Sequence, residues 1–501
     1  MVAQNTDFEE TVPIADQGNA EGGTVYRPTS VDQRFRDFEC LQPETLKKDS
    51  DPFFLYFTTV LASLTSFGAG ISLSWTSPVF PKLQSAESPF GAPIDTLQKS
   101  WIISLLSVGQ VIGPFIFGYF SDKIGRKKTM ILIAFPLLVG FVILAFATDV
   151  RLYYVARILH GLGLAGCMTV IAMYIAEITQ QHNRGKFSCI SVLLVSSGVL
   201  FPYLVGPFLS IKMFCLVSII PLVVFLVLFP IFVPESPVYL VKSGDLDAAG
   251  WALAKLRNRN VSSIEKDLLE IREFVSANSD EKQGIRNLFQ SKVLRRALLL
   301  GLGISAIPQL TGISVVVGVL HNIFGATENI ISAKYASIIV GTIKVLAIFV
   351  TSAIIERLGR RFLLLFSAIG ISIVLSILGL YFFLQSRNPE LVQNLWFLPL
   401  VCMVLYFVCF NLGMGPVSMT VLNEIFPSNV RSAATAFVTT VSFVVAFILG
   451  FLFPIVTDCL GLGVVFWVFG GFCVISLTFI YFVVPETRGK TLAQIQEMLS
   501  D

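Results

Sequence analysis

Charge is scarce in this chain: 14% of its 501 residues are Asp, Glu, Lys or Arg, 54% are hydrophobic, and histidine occurs only three times. A soluble protein of several domains needs more polar surface than that, so the composition excludes one. The net charge of +3 is too small, and its lysines and arginines too scattered in short blocks, for a nucleic-acid-binding face. Eight cysteines form neither a CxxC pair nor a Cys/His metal spacing, which leaves no zinc site and no disulfide framework. Cys167, Cys189, Cys215, Cys402, Cys409 and Cys473 lie in apolar segments and read as small packing residues, with Cys40 in the N-terminal tail and Cys459 in a short loop. There is no GxxxxGKS/T phosphate loop, so ATP-driven pumping is unsupported. No nucleophile, base and oxyanion donor can be assembled from the loops, so no catalytic residue, metal or cofactor is expected. The polar residues 1–52 lack the basic-then-apolar pattern of a cleaved leader and read as a disordered cytosolic tail.

What the chain does have is phenylalanine, 44 of them, and twelve apolar runs of membrane-crossing length. A hydrocarbon core of about 30 Å takes about 20 residues of helix, and the runs fall at 53–77, 98–121, 128–148, 152–177, 187–210, 213–233, 295–321, 335–355, 362–385, 395–422, 433–456 and 461–484. The pattern is six, a polar insert at 234–294, then six. Lysine and arginine concentrate in "DKIGRKK" (122–128), "NRGK" (183–186), "ERLGRR" (356–361), Arg431 and "RGK" (488–490), all on one side of the membrane. That side, with both termini and the segment 485–501, is expected to be cytosolic. The sequon at Asn260 then lies in the insert and escapes glycosylation. Within the insert, 244–257 and 262–275 carry apolar residues at helical spacing, and Ser262 with Glu265 fits a capping box. Short amphipathic helices at the cytosolic face are expected.

The halves repeat. "GYFSDKIGRKK" after the second run is matched by "SAIIERLGRRF" after the eighth, Glu177 and Arg184 by Glu424 and Arg431, and "VPESP" (233–237) by "VPETR" (484–488). Three matches at equivalent places indicate a duplicated six-helix unit. Together with "QLTG" and "NEIFPSNVR", these motifs resemble the sugar porter branch of the major facilitator superfamily, over about residues 53–498, and look most like its insect facilitated trehalose transporter group. The resemblance implies an all-α membrane protein of two six-helix bundles (53–233 and 295–484) around a central substrate cavity. It also implies a monomer in the plasma membrane that works by alternating access. Asp122, Arg126, Glu177, Arg184 and Glu235 in the first half, and Glu356, Arg360, Glu424, Arg431 and Glu486 in the second, can bridge the bundles when the inner mouth is closed. A semi-exposed pair is worth about 1 kcal/mol, so only a network would bias the two states; topology-setting charges are the plainer alternative.

Against that family the cavity lining is eroded. The seventh helix reads "PQLTGISVVVGVL", keeping Gln309 while Pro308, Ser314, Gly318 and Val319 stand where amides and hydroxyls usually do. In the tenth, "NLGMGPVSM" keeps Asn411, the breakers Gly413, Gly415 and Pro416, but has Ser418 and Met419 for the usual Pro-Trp. The fifth helix aligns Val192 with the family's glutamine, and the first lacks the acid of proton-coupled members, favouring passive transport. By resemblance the substrate-binding residues are Gln309, Ser314, Lys344, Asn411, Gly415 and Met419. Lys344 falls where facilitative glucose transporters carry a sugar-binding asparagine. Independently, Ser337, Gly341, Lys344 and Thr351 or Ser352 form a polar stripe on the eighth helix.

No Asp or Glu lies deep in any run, so Lys344 has no evident fixed counter-ion. It can be neutral, be solvated by cavity water and carbonyls, or pair with an anionic substrate; snorkelling without charge recognition is the plainer alternative. Arg157 matches the family's arginine of the fourth helix, His160 lies beside the small-residue run "GLGLAGC", and His321 and Asn322 close the seventh. The expected partners are a small-molecule substrate and the lipid bilayer, with no nucleic acid. A sugar or polyol uniporter leads. A carrier of an organic anion using Lys344, and a transporter-derived nutrient sensor, remain open.

Overall fold

In hydrocarbon an unpaired backbone N–H or C=O costs several kcal/mol, so long apolar runs fold as helices that satisfy themselves. The computed structural model describes residues 53–85, 88–180, 183–259, 264–277, 291–327, 331–354, 358–488, 490, 494–495 and 498, with backbone only at 277, 352–354, 428, 429 and 432. Among them are twelve helices long and apolar enough to cross a membrane. Spans one to six are Phe53–Leu83, Thr96–Ile124, Arg126–Phe146, Val150–Ile178, Arg184–Val205 and Ile211–Phe232. Spans seven to twelve are Lys292–Gly325, Ala333–Thr351, Arg360–Arg387, Leu398–Ile425, Ala433–Leu460 and Leu462–Val483. The tail, Cys40, the sequon at Asn260, Ser262 of the expected capping box, the Ser352 side chain and Glu356 lie outside the described residues.

Several spans are interrupted where the sequence supplies a reason. Span seven breaks at Gly312, whose φ of 82° suits glycine alone, and a Cβ there would lie 2.6 Å from the Phe469 ring. Span ten breaks at Gly413, between helices Leu398–Leu412 and Met414–Ile425. Carbonyls near the breaks find hydroxyls: Tyr406 donates to Thr311 O (3.1 Å), Ser367 to Cys409 O (2.7 Å) and Thr351 to Asn411 O (3.1 Å). Neighbouring side chains thus re-satisfy what the breaks release. Span four contains a single π-turn, Cys167–Ile171.

Three helices follow span six, Pro237–Ser243, Leu246–Arg257 and Glu265–Ala277. Asp245 caps the second by accepting from Ala248 N at 3.1 Å. Leu253, Ala254 and Ile264, with Leu268 and Ile271 against them, give this region a small core of its own. The first of the three was not expected from the sequence, where "PESP" reads only as a motif.

Within the first half, span two packs on four and one on five; within the second, nine packs on twelve and ten, and eight on ten. The halves meet where span two lies along eleven, span five along eight, and the ends of one and seven touch. Every cross-half hydrogen bond found between described residues sits near the end away from the basic loops. Thr76 donates to Gly318 O and Tyr203 to Val317 O, each at 2.7 Å, and His321 N to Ser77 Oγ at 2.9 Å. Asn322 Nδ2 bonds Gln84 Oε1 at 3.3 Å, and Thr96 bonds Asp458.

Candidate functional site

At the basic end each half gathers its own charged motif. In the first, Arg126 forks onto Glu177 at 2.8–3.2 Å, Ser236 donates to the same carboxylate, and Asp122 lies 3.7 Å from the guanidinium and 3.3 Å from Lys242. Glu235 accepts from the backbone N–H of Arg126 (2.9 Å) and Lys127 (3.0 Å), capping span three. The second half repeats this. Arg360 meets Glu424 at 3.4 Å, Thr487 donates to Glu424, and Glu486 accepts from the N–H of Arg360 (2.9 Å) and Arg361 (3.1 Å). The glycine before each arginine makes room: a Cβ on Gly125 would lie 2.4 Å from Glu235 Oε2, and one on Gly359 2.5 Å from Glu486 Oε2. Arg184 and Arg431 form no ion pair with Glu177 and Glu424; they donate to Ala176 O and Phe426 O at 3.1 Å, closing the C-terminal ends of spans four and ten.

Among the described residues these ion pairs are internal to one half or the adjoining linker, and none joins the bundles in this conformation. Burial pushes the Glu235 carboxyl up from its ordinary value, against the opposing pull of the N–H groups of Ser236, Lys127 and Arg126.

The deep polar residues form two groups. Gln309 and Ser314 flank the break in span seven and bond each other at 2.6 Å. Lys344, half-buried on span eight, holds its Nζ 5.5 Å from the centre of the Phe407 ring, and its backbone O accepts from Asn411 Nδ2 at 3.2 Å. One turn away Gly341 packs on Leu200 and Tyr203 of span five, so this face of span eight is turned to the other half. Of the remaining candidates, Gly415 lies against the Phe410 ring, and Met419 is 49% and Val192 52% exposed. Ser337 is buried and donates to Ala333 O, which closes the stripe above Gly341 without a free hydroxyl.

Arg157 is committed elsewhere: it is 2% exposed and donates to Ile102 O (2.9 Å) and Ser72 O (2.6 Å), tying spans one, two and four. His160 is fully buried against the Phe141 ring at 4.3 Å. His321 and Asn322 take part in the cross-half contacts. Sequence reading missed the aromatic wall of Phe407 and Phe410, two rings among 44 phenylalanines, and the hydroxyls of Thr76 and Tyr203, whose partners are backbone carbonyls.

Residues 32–499 match the family described as "Sugar (and other) transporter". Similar proteins include the facilitated trehalose transporter Tret1 of Bombyx mori, 29% identical over 461 residues, covering 91% of this chain and 89% of that protein. The Tret1-2 homolog of Drosophila simulans is 30% identical over 452 residues, covering 88% and 91%. Tret1 of Aedes aegypti is 29% identical over 465 residues, and the match spans only 57% of that longer protein. Among solved structures, a partially occluded inward open conformation of the xylose transporter XylE from E. coli superposes with a TM-score of 0.73. It is 23% identical and covers 87% of this chain and 99% of that one.

Proposed function

Because the chain belongs to the Sugar (and other) transporter family, we propose that it is an integral membrane carrier moving a sugar by facilitated diffusion, its two halves rocking about a site between spans five, seven, eight and ten. The observation that carries this reading is the one-ended junction of the halves. Among the described residues, hydrogen bonds join them at the end away from the basic loops, while the charged clusters at the basic end are satisfied half by half. A pair of repeats held at one end is the geometry alternating access requires. The broken spans seven and ten supply backbone and side-chain polar groups beside that junction. It is a carrier, not a catalyst.

Several finer points belong to the same reading. The basic loops and both termini face the cytosol by the positive-inside rule, so this conformation is closed outward. The membrane is the plasma membrane, and the working unit is a monomer. The substrate is a trehalose, hexose or polyol; the trehalose relatives support the first. Span one carries "SFGAGISLSWTSPVFP" without an acid, which supports transport uncoupled from protons. The test is counterflow in proteoliposomes across labelled trehalose, glucose, fructose and polyols. Saturable exchange of at least one sugar is expected, unchanged by a pH gradient. Flux no greater than in protein-free vesicles across the whole panel would remove the carrier reading, and proton-driven accumulation would remove the uncoupled one.

A further inference from the structure

We propose that the sugar carried bears one carboxylate, an aldonate or uronate, and that Lys344 is the residue that selects it. The inference rests on the carrier reading and moves its substrate from a neutral sugar to an acidic one. A cation far inside an apolar span needs a partner. Among the described residues no carboxylate lies within ion-pair distance of Lys344, and its Nζ is matched only by the face of Phe407 at 5.5 Å. A ring quadrupole is a weaker counterpart than a carboxylate.

The geometry puts this ammonium where a cargo passes. Gly341, on the same face, is pressed on Leu200 and Tyr203 of the other half, and Asn411 of span ten pins the Lys344 backbone from the second half. The stem is thus anchored at a junction that opens and closes, while among the described residues the amine has the ring alone. The other deep cation, Arg157, is already committed to two carbonyls and is 2% exposed.

One free cation among the described residues argues for one negative charge. A phosphate, with a second charge and three acceptors, is ordinarily met by an arginine fork or several donors. The eroded lining fits as well. Gln309, Ser314 and Asn411 remain for hydroxyls, whereas Val192 and Met419 are half-exposed apolar side chains. A charge-assisted hydrogen bond is roughly twice as strong as a neutral one, so a single lysine offsets about two of the lost contacts.

The test measures counterflow of labelled glucuronate and of glucose in the same proteoliposomes. Wild type is expected to prefer glucuronate. Lys344→Asn should lower the glucuronate-to-glucose ratio at least about thirtyfold, the scale of removing one partner of a desolvated charge pair. Lys344→Arg, which keeps the charge, should hold the ratio within about threefold. Uniport of a monoanion moves one negative charge per cycle, so a potential positive inside should accumulate glucuronate about tenfold per ~59 mV and leave glucose unaffected. Melting curves of both variants separate a folding defect from a change in selectivity. Wild-type vesicles that exchange glucose and ignore glucuronate overturn the proposal and leave the carrier reading standing. Vesicles that exchange neither of these, nor trehalose, fructose or a polyol, with protein that melts cooperatively and is stabilised by none of them, overturn both.

Discussion

Arg157 and Lys344 show two fates for a cation inside a membrane helix. The first is absorbed into the scaffold: its guanidinium holds Ile102 O and Ser72 O, in spans two and one. A hydrogen bond from a charged donor contributes about 1.5–3 kcal/mol, so Arg157→Met, which loses two, is expected to lower stability by about 3–6 kcal/mol. Arg157→Lys, able to reach one carbonyl, should fall between; thermal unfolding in detergent reads both. A melting point for the methionine variant equal to wild type would show that the carbonyls are not held by this side chain. Both cations were legible in the sequence, because a charge in a greasy run stands out. Their partners were not. Backbone carbonyls have no sequence signature, and Phe407 is one phenylalanine of many.

At the scale of elements, the twelve spans follow from run length, and most of their ends from glycine, proline and charge. Span one is the instructive miss: the run reads as ending at 77, yet helix continues to Leu83 through Pro78 and Pro81. An interruption at Trp75 makes Thr76–Pro78 the first turn of a new segment, where a missing N–H costs nothing. The basic motifs were legible as repeats, but their pairing was not, since spacing cannot say whether Arg126 reaches Glu177 or the other half. Their glycines give a graded test. Gly125 has φ 95° and no room for a Cβ, whereas Gly359 has an ordinary φ of −65° and meets only a carboxylate end. Gly125→Ala should cost about 1–3 kcal/mol and Gly359→Ala less, by the same unfolding assay.

Glu235 adds a pH dependence to this end of span three. Its carboxyl is pushed above the ordinary 4.5, so the folded protein holds that proton more tightly than the unfolded chain. The stabilisation from this group is complete below 4.5 and is lost as pH rises through the folded value. Glu235→Gln, neutral at every pH, should flatten that part of the stability profile.

For the molecule as a whole, the hydrogen bonds of Thr76 and Tyr203 to the carbonyls of Gly318 and Val317 join the halves in this conformation. Each bond made in only one state is worth about 0.5–1.5 kcal/mol, so Thr76→Val with Tyr203→Phe should shift the equilibrium about five- to 150-fold toward separation at that end. Spin labels at the exposed positions Ala92 and Leu460 should report a longer distance population in the double variant. An unchanged distribution would mean that apolar packing alone, such as Trp101 against Phe447 and Phe451, keeps that end shut. The repeat of Arg126, Glu177, Ser236 and Glu235 as Arg360, Glu424, Thr487 and Glu486 reaches beyond the transport cycle. Among the described residues each six-helix piece neutralises its own acids and caps its own helices. The covalent thread between the pieces is then dispensable: two polypeptides severed between residues 277 and 291 and synthesised separately should find one another in the bilayer and assemble.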